Sequence, residues 1–307
     1  MVFKKADLKD ISIATLENLI KLTTNQKQKS LMQKDLQMLK NGYEAEKQNA
    51  YYIDFYLEDS EHVIVLHDIR LEYKNKSAQI DHILINRFEI TLIESKSFKG
   101  KVTINDDNSL FVDYNGKIES FSNPLEQSKR HAELLYKFLN ENIDFGKRIK
   151  AFGGLEIDNV VLFHPKTVVT NKKLPEGFYR ADSYISKRKE QIDKMSTLKL
   201  FQTVMKMVTI DTAKELAKTI VDAHKPVNFD YHKKYKISKE NISTNNKQNE
   251  EVKVNKLTVG SPCPFCSSPL VLRNVNKPTP FLGCSSFPKC KFNRRISKKD
   301  ASKIASL

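Results

Sequence analysis

Apolar residues recur at helical spacing over the first sixty positions. Leu8, Ile11, Leu16, Leu19 and Ile20 mark one segment, and a polar break follows from Thr23 to Ser30. Met32, Leu36, Leu39, Tyr43, Glu46, Ala50, Ile53 and Leu57 then alternate spacings of four and three, which puts them on one stripe of a second helix. That stripe carries a carboxylate, Glu46, in mid-seam. Two readings stay open at this point: a helix rotated so that Glu46 meets water at the stripe's edge, or an acid aimed inward at a metal.

The pattern then changes to short runs suited to strands: His62 to Leu71, Ala78 to Asn86, Phe88 to Lys96, Lys101 to Asn105 and Leu110 to Tyr114, read together as a meander. Asn123-Pro124 opens a helix, a cap followed by proline at the first helical position. A buried strand over Asn159 to His164 and helices near Thr197 to Val208 and Thr212 to His224 complete the region. Helix, strands, helix, strand and helices predict an α/β fold with a mixed sheet flanked by helices. Residues 226–257 are rich in Lys, Asn, Ser and Glu and are expected to be a linker. The division is therefore an N-terminal helical extension (1–35), a main domain (36–225, core 36–165), the linker, and a small C-terminal domain (258–307).

Composition narrows the function. The 307 residues hold 52 Lys and Arg against 37 Asp and Glu, a net charge of +15 that draws polyanions such as nucleic acid. Nine of those basic residues and one acid fall in the last 50 positions, so +8 of the surplus is there. No apolar stretch is long enough to span a bilayer, and the first twenty residues do not read as a secretion signal, so a cytoplasmic protein without membrane attachment is expected.

The sharpest chemistry of the main domain is Gln79-Ile80-Asp81-His82 followed by Glu94-Ser95-Lys96. Strand alternation puts Glu94 and Lys96 on one face. With Asn86-Arg87 as a two-residue hairpin loop, Ile85 would pair with Phe88, Asp81 with Leu92 and Gln79 with Glu94, so that Asp81, Glu94 and Lys96 share that face. Two carboxylates on an apolar face repel each other unless a hard divalent cation, magnesium or manganese, joins them. Lys96 could then orient a water and stabilise charge on a phosphate, a set suited to phosphodiester hydrolysis. Alternation places His82 on the other face, in packing rather than as a general base.

The runs NGYEAEK (41–47), QIDHILINRFEITLIESKSFKGKV (79–102) and NPLEQSKRHAELL (123–135) resemble the nuclease-related domain, a member of the PD-(D/E)xK nuclease superfamily with a restriction-endonuclease-like fold. By position, the resemblance implies Glu46 as the helix acid, Asp81 and Glu94 as metal ligands, Lys96 as the catalytic lysine, and Gln79 and Gln127 as accessory polar groups. Ala45 stands where the family usually has a second glycine.

All four cysteines lie near the C-terminus. Cys263 and Cys266 form a C-x2-C knuckle, and Cys284 and Cys290 follow as a second pair, four thiolates for a tetrahedral zinc ion. The string from Cys263 to Phe292 resembles the C4 zinc finger at the C-terminus of type I topoisomerases, which implies a zinc ribbon that binds DNA, single-stranded or duplex. Arg273, Lys289, Lys291, Arg294 and Arg295 are the expected DNA contacts, with Phe287 or Phe292 as an exposed stacking surface. The reading that follows is a metal-dependent DNA nuclease tethered by its ribbon. The alternative is a catalytically inactive scaffold holding nucleic acid with the same two domains.

Overall fold

The computed structural model describes residues 1–151, 155–227, 229–237, 259–260, 263, 268–273, 281–290 and 292–295. The chain divides into two compact units, Met1–Ser238 and Lys239–Leu307. The first unit opens on a strand, Val2–Lys4 (β1), ahead of helices Asp10–Leu22 (α1) and Gln26–Leu57 (α2). The polar break expected over 23–30 shrinks to three residues, because the Asn25 side chain accepts the Gln28 N–H and starts α2 early. Met32 and Ile53 of the apolar stripe are buried, and so is the polar Asn49, whose Nδ2 donates to Leu162 O at 3.2 Å.

Strands Ile64–Tyr73 (β2), Lys76–Ile85 (β3) and Glu89–Lys96 (β4) follow as antiparallel neighbours. Lys74 and Asn75 join β2 to β3 with φ of 45° and 62°, the left-handed pair that a tight hairpin turn requires. The β3–β4 connection differs from the expected two-residue loop. Asn86 accepts the N–H groups of Phe88 and Glu89 through its side chain, and its own N–H bonds to Glu89 O, so the loop has four residues and Ile85 pairs with Ile90.

The expected meander is in fact split between two sheets. Lys101–Ile104 (β5), Leu110–Tyr114 (β6) and Lys117–Phe121 (β7) leave the first sheet and pair with one another. Gly100 permits the departure: a Cβ there would lie 2.5 Å from Asp113 O, a contact only glycine avoids. The chain continues through Pro124–Asn142 (α3), Gly146–Ala151 (α4), Glu156–Phe163 (β8), Val168–Val169 (β9), Phe178–Arg180 (β10), Tyr184–Asp193 (α5), Thr197–Met205 (α6), Ile210–Asp222 (α7) and Tyr231–Lys234 (α8). The main sheet has the order β1-β2-β3-β4-β8-β10, and the smaller one β7-β6-β5-β9. In the main sheet β1 runs parallel to β2, and β4, β8 and β10 are parallel neighbours.

Both faces of the main sheet are covered. Leu135 and Leu139 of α3 with Leu216 and Ile220 of α7 bury Ile64, Leu66, Ile83 and Leu92 on one side. On the other side Ile53 of α2 and Tyr184 of α5 pack on Val65, Leu84, Ile93 and Leu162. Double coverage explains why these strands read as nearly continuous apolar runs. The architecture is mixed α/β, a mixed sheet flanked by helices on both faces.

Asn123 caps α3 as expected, its Oδ1 accepting Leu125 N–H at 2.9 Å and Glu126 N–H at 3.4 Å. Asn123→Ala is expected to cost about 1 kcal/mol, lowering the calorimetric midpoint of the full chain by roughly 2–4 °C. An unchanged midpoint would show that the cap contributes nothing.

Composition placed residues 229–237 in the linker, but they pack on the domain. Tyr231 and Tyr235 are buried with Leu16, Leu19 and Met32, and Gln28 Nε2 donates to Tyr235 O. Two aromatic anchors outweigh the polar residues between them. In the second unit, Leu270–Arg273 (β11), Phe281–Cys284 (β12) and Asn293–Arg295 (β13) form an antiparallel sheet.

Candidate nuclease centre and zinc ribbon

Strand alternation, on which the expected site was built, fails at the site itself. Ala78 and Ile80 line the same core as Ile83 and Ile85, so the pleat slips between residues 80 and 83, and Asp81 and His82 occupy the fault. Its counterpart in β2 is Asp68, held in the left-handed region at φ 53° between the pairs His67–His82 and Ile69–Ile80. Register leaves Asp68 level with Asp81. Because His82 pairs with Ile93, Asp81 is also level with Glu94, two residues from the Leu92 position expected for it. Asp81 Oδ2 accepts the Ser95 N–H at 2.7 Å, so a side chain takes over where the β3–β4 ladder stops.

Around this fork the acids converge. Glu94 is buried, and its Oε1 accepts from Lys96 Nζ at 2.7 Å and from Gln127 Nε2 of α3 at 3.2 Å. Glu46 turns inward from α2 and is bonded by Lys9 Nζ at 2.5 Å. Gln79 Nε2 donates to Asp68 Oδ1, and Asp68 Oδ2 takes the Asp7 N–H at 3.2 Å. The structure thus brings together Glu46, Asp81, Glu94, Lys96, Gln79 and Gln127.

Burial raises two of the acids. Loss of water around Asp81 is the largest influence and lifts its carboxyl well above the usual range; Glu94 and Glu46 lift it further, against the Ser95 N–H and Lys96. Burial also raises Glu46, which Lys9 opposes and Asp68 and Glu94 reinforce. Among the described residues, Asp81 Oδ1, Glu94 Oε2 and Glu46 Oε1 accept no hydrogen bond, whereas both Asp68 oxygens do. Asp81 and Glu94, level across β3 and β4, each keep an unclaimed oxygen, and Asp68 serves instead to hold Gln79; among the described residues, three ligand atoms within 4.8 Å of one another occur only in the cysteine set. Among the described residues, the buried Gln79 Oε1 has no hydrogen-bond partner.

His82 lies on the far side of the fault in a buried chain. Its Nδ1 meets His67 Nδ1 at 2.7 Å, its Nε2 meets Ser95 Oγ at 2.9 Å, and His67 Nε2 meets Asp54 Oδ1 at 2.8 Å. Desolvation, then His67 and Lys9, push His82 well below its ordinary value, so it is neutral. With Asp54 accepting from His67 Nε2, one direction satisfies every group: Ser95 donates to His82, His82 to His67, and His67 to Asp54. His82 is spoken for, and it fixes Ser95 between Glu94 and Lys96.

Sequence reasoning missed Lys9, Asp54, His67 and Asp68. A signal was present: His67-Asp68 on one strand mirrors Asp81-His82 on its antiparallel neighbour, an inverted pair that a hairpin must bring face to face.

In the second unit, the sulfurs of Cys263, Cys284 and Cys290 lie within 4.8 Å of one another, and Cys263 Sγ to Cys290 Sγ is 3.7 Å. A tetrahedron of about 2.3 Å Zn–S bonds has S···S edges of roughly 3.8 Å, so these thiolates fit a structural zinc ion. Cys266 and Lys291 lie outside the described residues. Lys289 is exposed, and Arg294 and Arg295 lie on β13. Arg273 is engaged within the unit: its guanidinium donates to Cys284 O at 3.3 Å and sits 5.8 Å from the centre of the Phe287 ring. Phe287 is 59% exposed, while Phe292 packs on the cysteine cluster.

Fold and sites together define a nuclease-like domain joined in one chain to a zinc ribbon. Comparison with known families agrees: residues 41–164 match the nuclease-related domain (NERD), and residues 260–299 match the topoisomerase DNA binding C4 zinc finger. A 51-residue stretch is 43% identical to DNA topoisomerase 1 of Mycoplasma pneumoniae, covering 16% of this chain and only 7% of that protein. No solved structure matches the chain. Among the described residues no helix is long and apolar enough to cross a membrane.

Proposed function

We propose that this chain is a cytoplasmic magnesium- or manganese-dependent deoxyribonuclease whose zinc ribbon tethers it to DNA. The observation that carries the reading is that Asp81 lies level with buried Glu94 beside Lys96, with burial, Glu94 and Glu46 together lifting the Asp81 carboxyl well above its ordinary range. Asp81 and Glu94 would hold that ion, with Glu46 at its margin. Bound there, it would supply Lewis acidity and a water of lowered pKa.

The protein's own groups do the remaining work. Lys96, partly exposed and anchored on Glu94, presents an ammonium to a phosphate oxygen and offsets the charge that builds on it. Gln127 fixes Glu94 from the opening turn of α3, and Ser95 N–H fixes Asp81, so each acid presents one free oxygen. The ribbon, with exposed Lys289 and Phe287, holds the strand and raises its local concentration at the acids.

A second reading, an inactive nucleic-acid scaffold, draws on one observation: Lys9 already gives Glu46 a cation. A cleavage panel separates the two. Single-stranded, duplex and branched DNA are each incubated with the full chain with and without magnesium or manganese. Metal-dependent products are expected. Tight, salt-sensitive binding with no products on any form would select the scaffold.

A further inference from the structure

A pocket of about 310 Å³ opens beside Glu46, between α1, α2 and the segment carrying α8. Its walls include Tyr43, Phe229, Lys9, Lys234 and Asp35, and Glu46 belongs both to this wall and to the acid cluster. That size is at the lower end of small-ligand sites, roughly 300–1,000 Å³.

Its charges are already matched. Lys9 pairs with Glu46, and Lys234 bonds Asp35, so the two lysines and two acids sum to zero. A phosphate entering here would have to displace a carboxylate from each lysine. The aromatic rings, in contrast, reach solvent, and lysine ammoniums lie over them. Phe229 is 47% exposed, with the Tyr231 ring 4.7 Å away and Lys234 Nζ 5.5 Å from its centre. Tyr43 is partly exposed, with Lys9 and Lys47 ammonium groups 5.8 and 5.4 Å from its centre. A neutral, flat, ring-lined recess suits a nucleobase and not a phosphate.

We infer that this pocket takes an unpaired nucleobase of the strand whose phosphate lies at Asp81 and Glu94, so that the enzyme acts on single-stranded or frayed DNA. The inference rests on the nuclease reading, because the shared residue Glu46 sets the base beside the scissile phosphate. A base inside a duplex is stacked on both sides and cannot enter; an unpaired one exchanges water for the Phe229 and Tyr43 faces.

The test uses the full chain with Tyr43→Ala, Phe229→Ala and the double substitution. Cleavage of a single strand of about 30 nucleotides, several times the site size of one binding fold, is compared with that of a blunt duplex of the same sequence. The double substitution should lower single-strand cleavage about tenfold more than duplex cleavage, mainly through KM. Tyr43→Phe and Phe229→Tyr keep the rings and should retain the preference. Equal losses on both substrates, or loss of preference in the ring-keeping variants, would overturn the inference.

Binding provides an arm independent of cleavage. Oligonucleotides carrying 2-aminopurine are titrated in calcium, and the fluorescence quenching lost in the double substitution is attributed to the pocket. If no DNA form is cut but this difference persists, the nuclease reading fails and the base pocket stands. If thymidine monophosphate abolishes the difference as effectively as an oligonucleotide, the site serves free nucleotides and the strand assignment falls.

Discussion

Asp81→Asn and Glu94→Gln proteins are expected to lose metal-dependent DNA cleavage by on the order of 10³-fold while binding DNA through the ribbon as before. Lys96→Ala should do the same, since its ammonium is the only one bonded to Glu94 among the described residues. The Asp81 substitution also bears on stability. A raised Asp81 carboxyl means that the folded state holds a proton the unfolded chain gives up near pH 4. Below that pH both states are protonated and there is no penalty. As pH rises toward the folded-state value the penalty grows, and at neutral pH the buried Asp81 carboxyl opposes folding. Asp81→Asn should therefore raise the melting temperature in chelator. Manganese should raise the wild-type melting temperature, by about 2.7 kcal/mol of stabilisation at a hundredfold excess over Kd, and should leave the variant unmoved. Full activity in all three variants, or a metal-induced shift that survives Asp81→Asn, would remove the proposed centre.

The second large effect belongs to the ribbon. Leu270 and Leu282 are its fully buried aliphatic side chains among the described residues, too small a core to stand alone. Zinc held by four thiolates supplies about 10–16 kcal/mol in comparable fingers. Cys284→Ala is expected to eliminate bound zinc, open the C-terminal unit to proteolysis and weaken DNA affinity on the order of 10–100-fold at physiological salt. The first unit should keep its own melting transition. One zinc per chain in the variant, measured by elemental analysis with affinity intact, would contradict this.

Much of the architecture could be read from the sequence because each element carried its own signal. The Leu110–Tyr114 strand was placed to the residue, and the Asn123-Pro124 cap marked α3 at its start. What escaped was set by tertiary contact. Two-residue β9 and three-residue β1 are too short for any period to show, and exist because a neighbouring edge was free to pair. For the candidate centre, Glu46, Asp81, Glu94 and Lys96 were singled out by residue type and spacing. Their register was not, because one side chain, Asn86, lengthened a turn by two residues. Asp68 escaped for a related reason: a left-handed residue inside a strand leaves no mark on a hydrophobic pattern, although it decides which way its neighbours face.

The N-terminal arm has a practical consequence. Lys4 Nζ bonds the His67 and Asp68 carbonyls, Asp7 N–H bonds the Asp68 carboxylate, and Lys9 neutralises Glu46, yet all three precede residue 41, where the family match begins. A protein trimmed to the matched boundaries would lose the edge strand beside β2, baring a row of unpaired amides that invites self-association. It would also lose the ammonium that pairs with half-buried Glu46. Failure of such a fragment in an assay would report on the trimming and not on the chemistry of the intact chain.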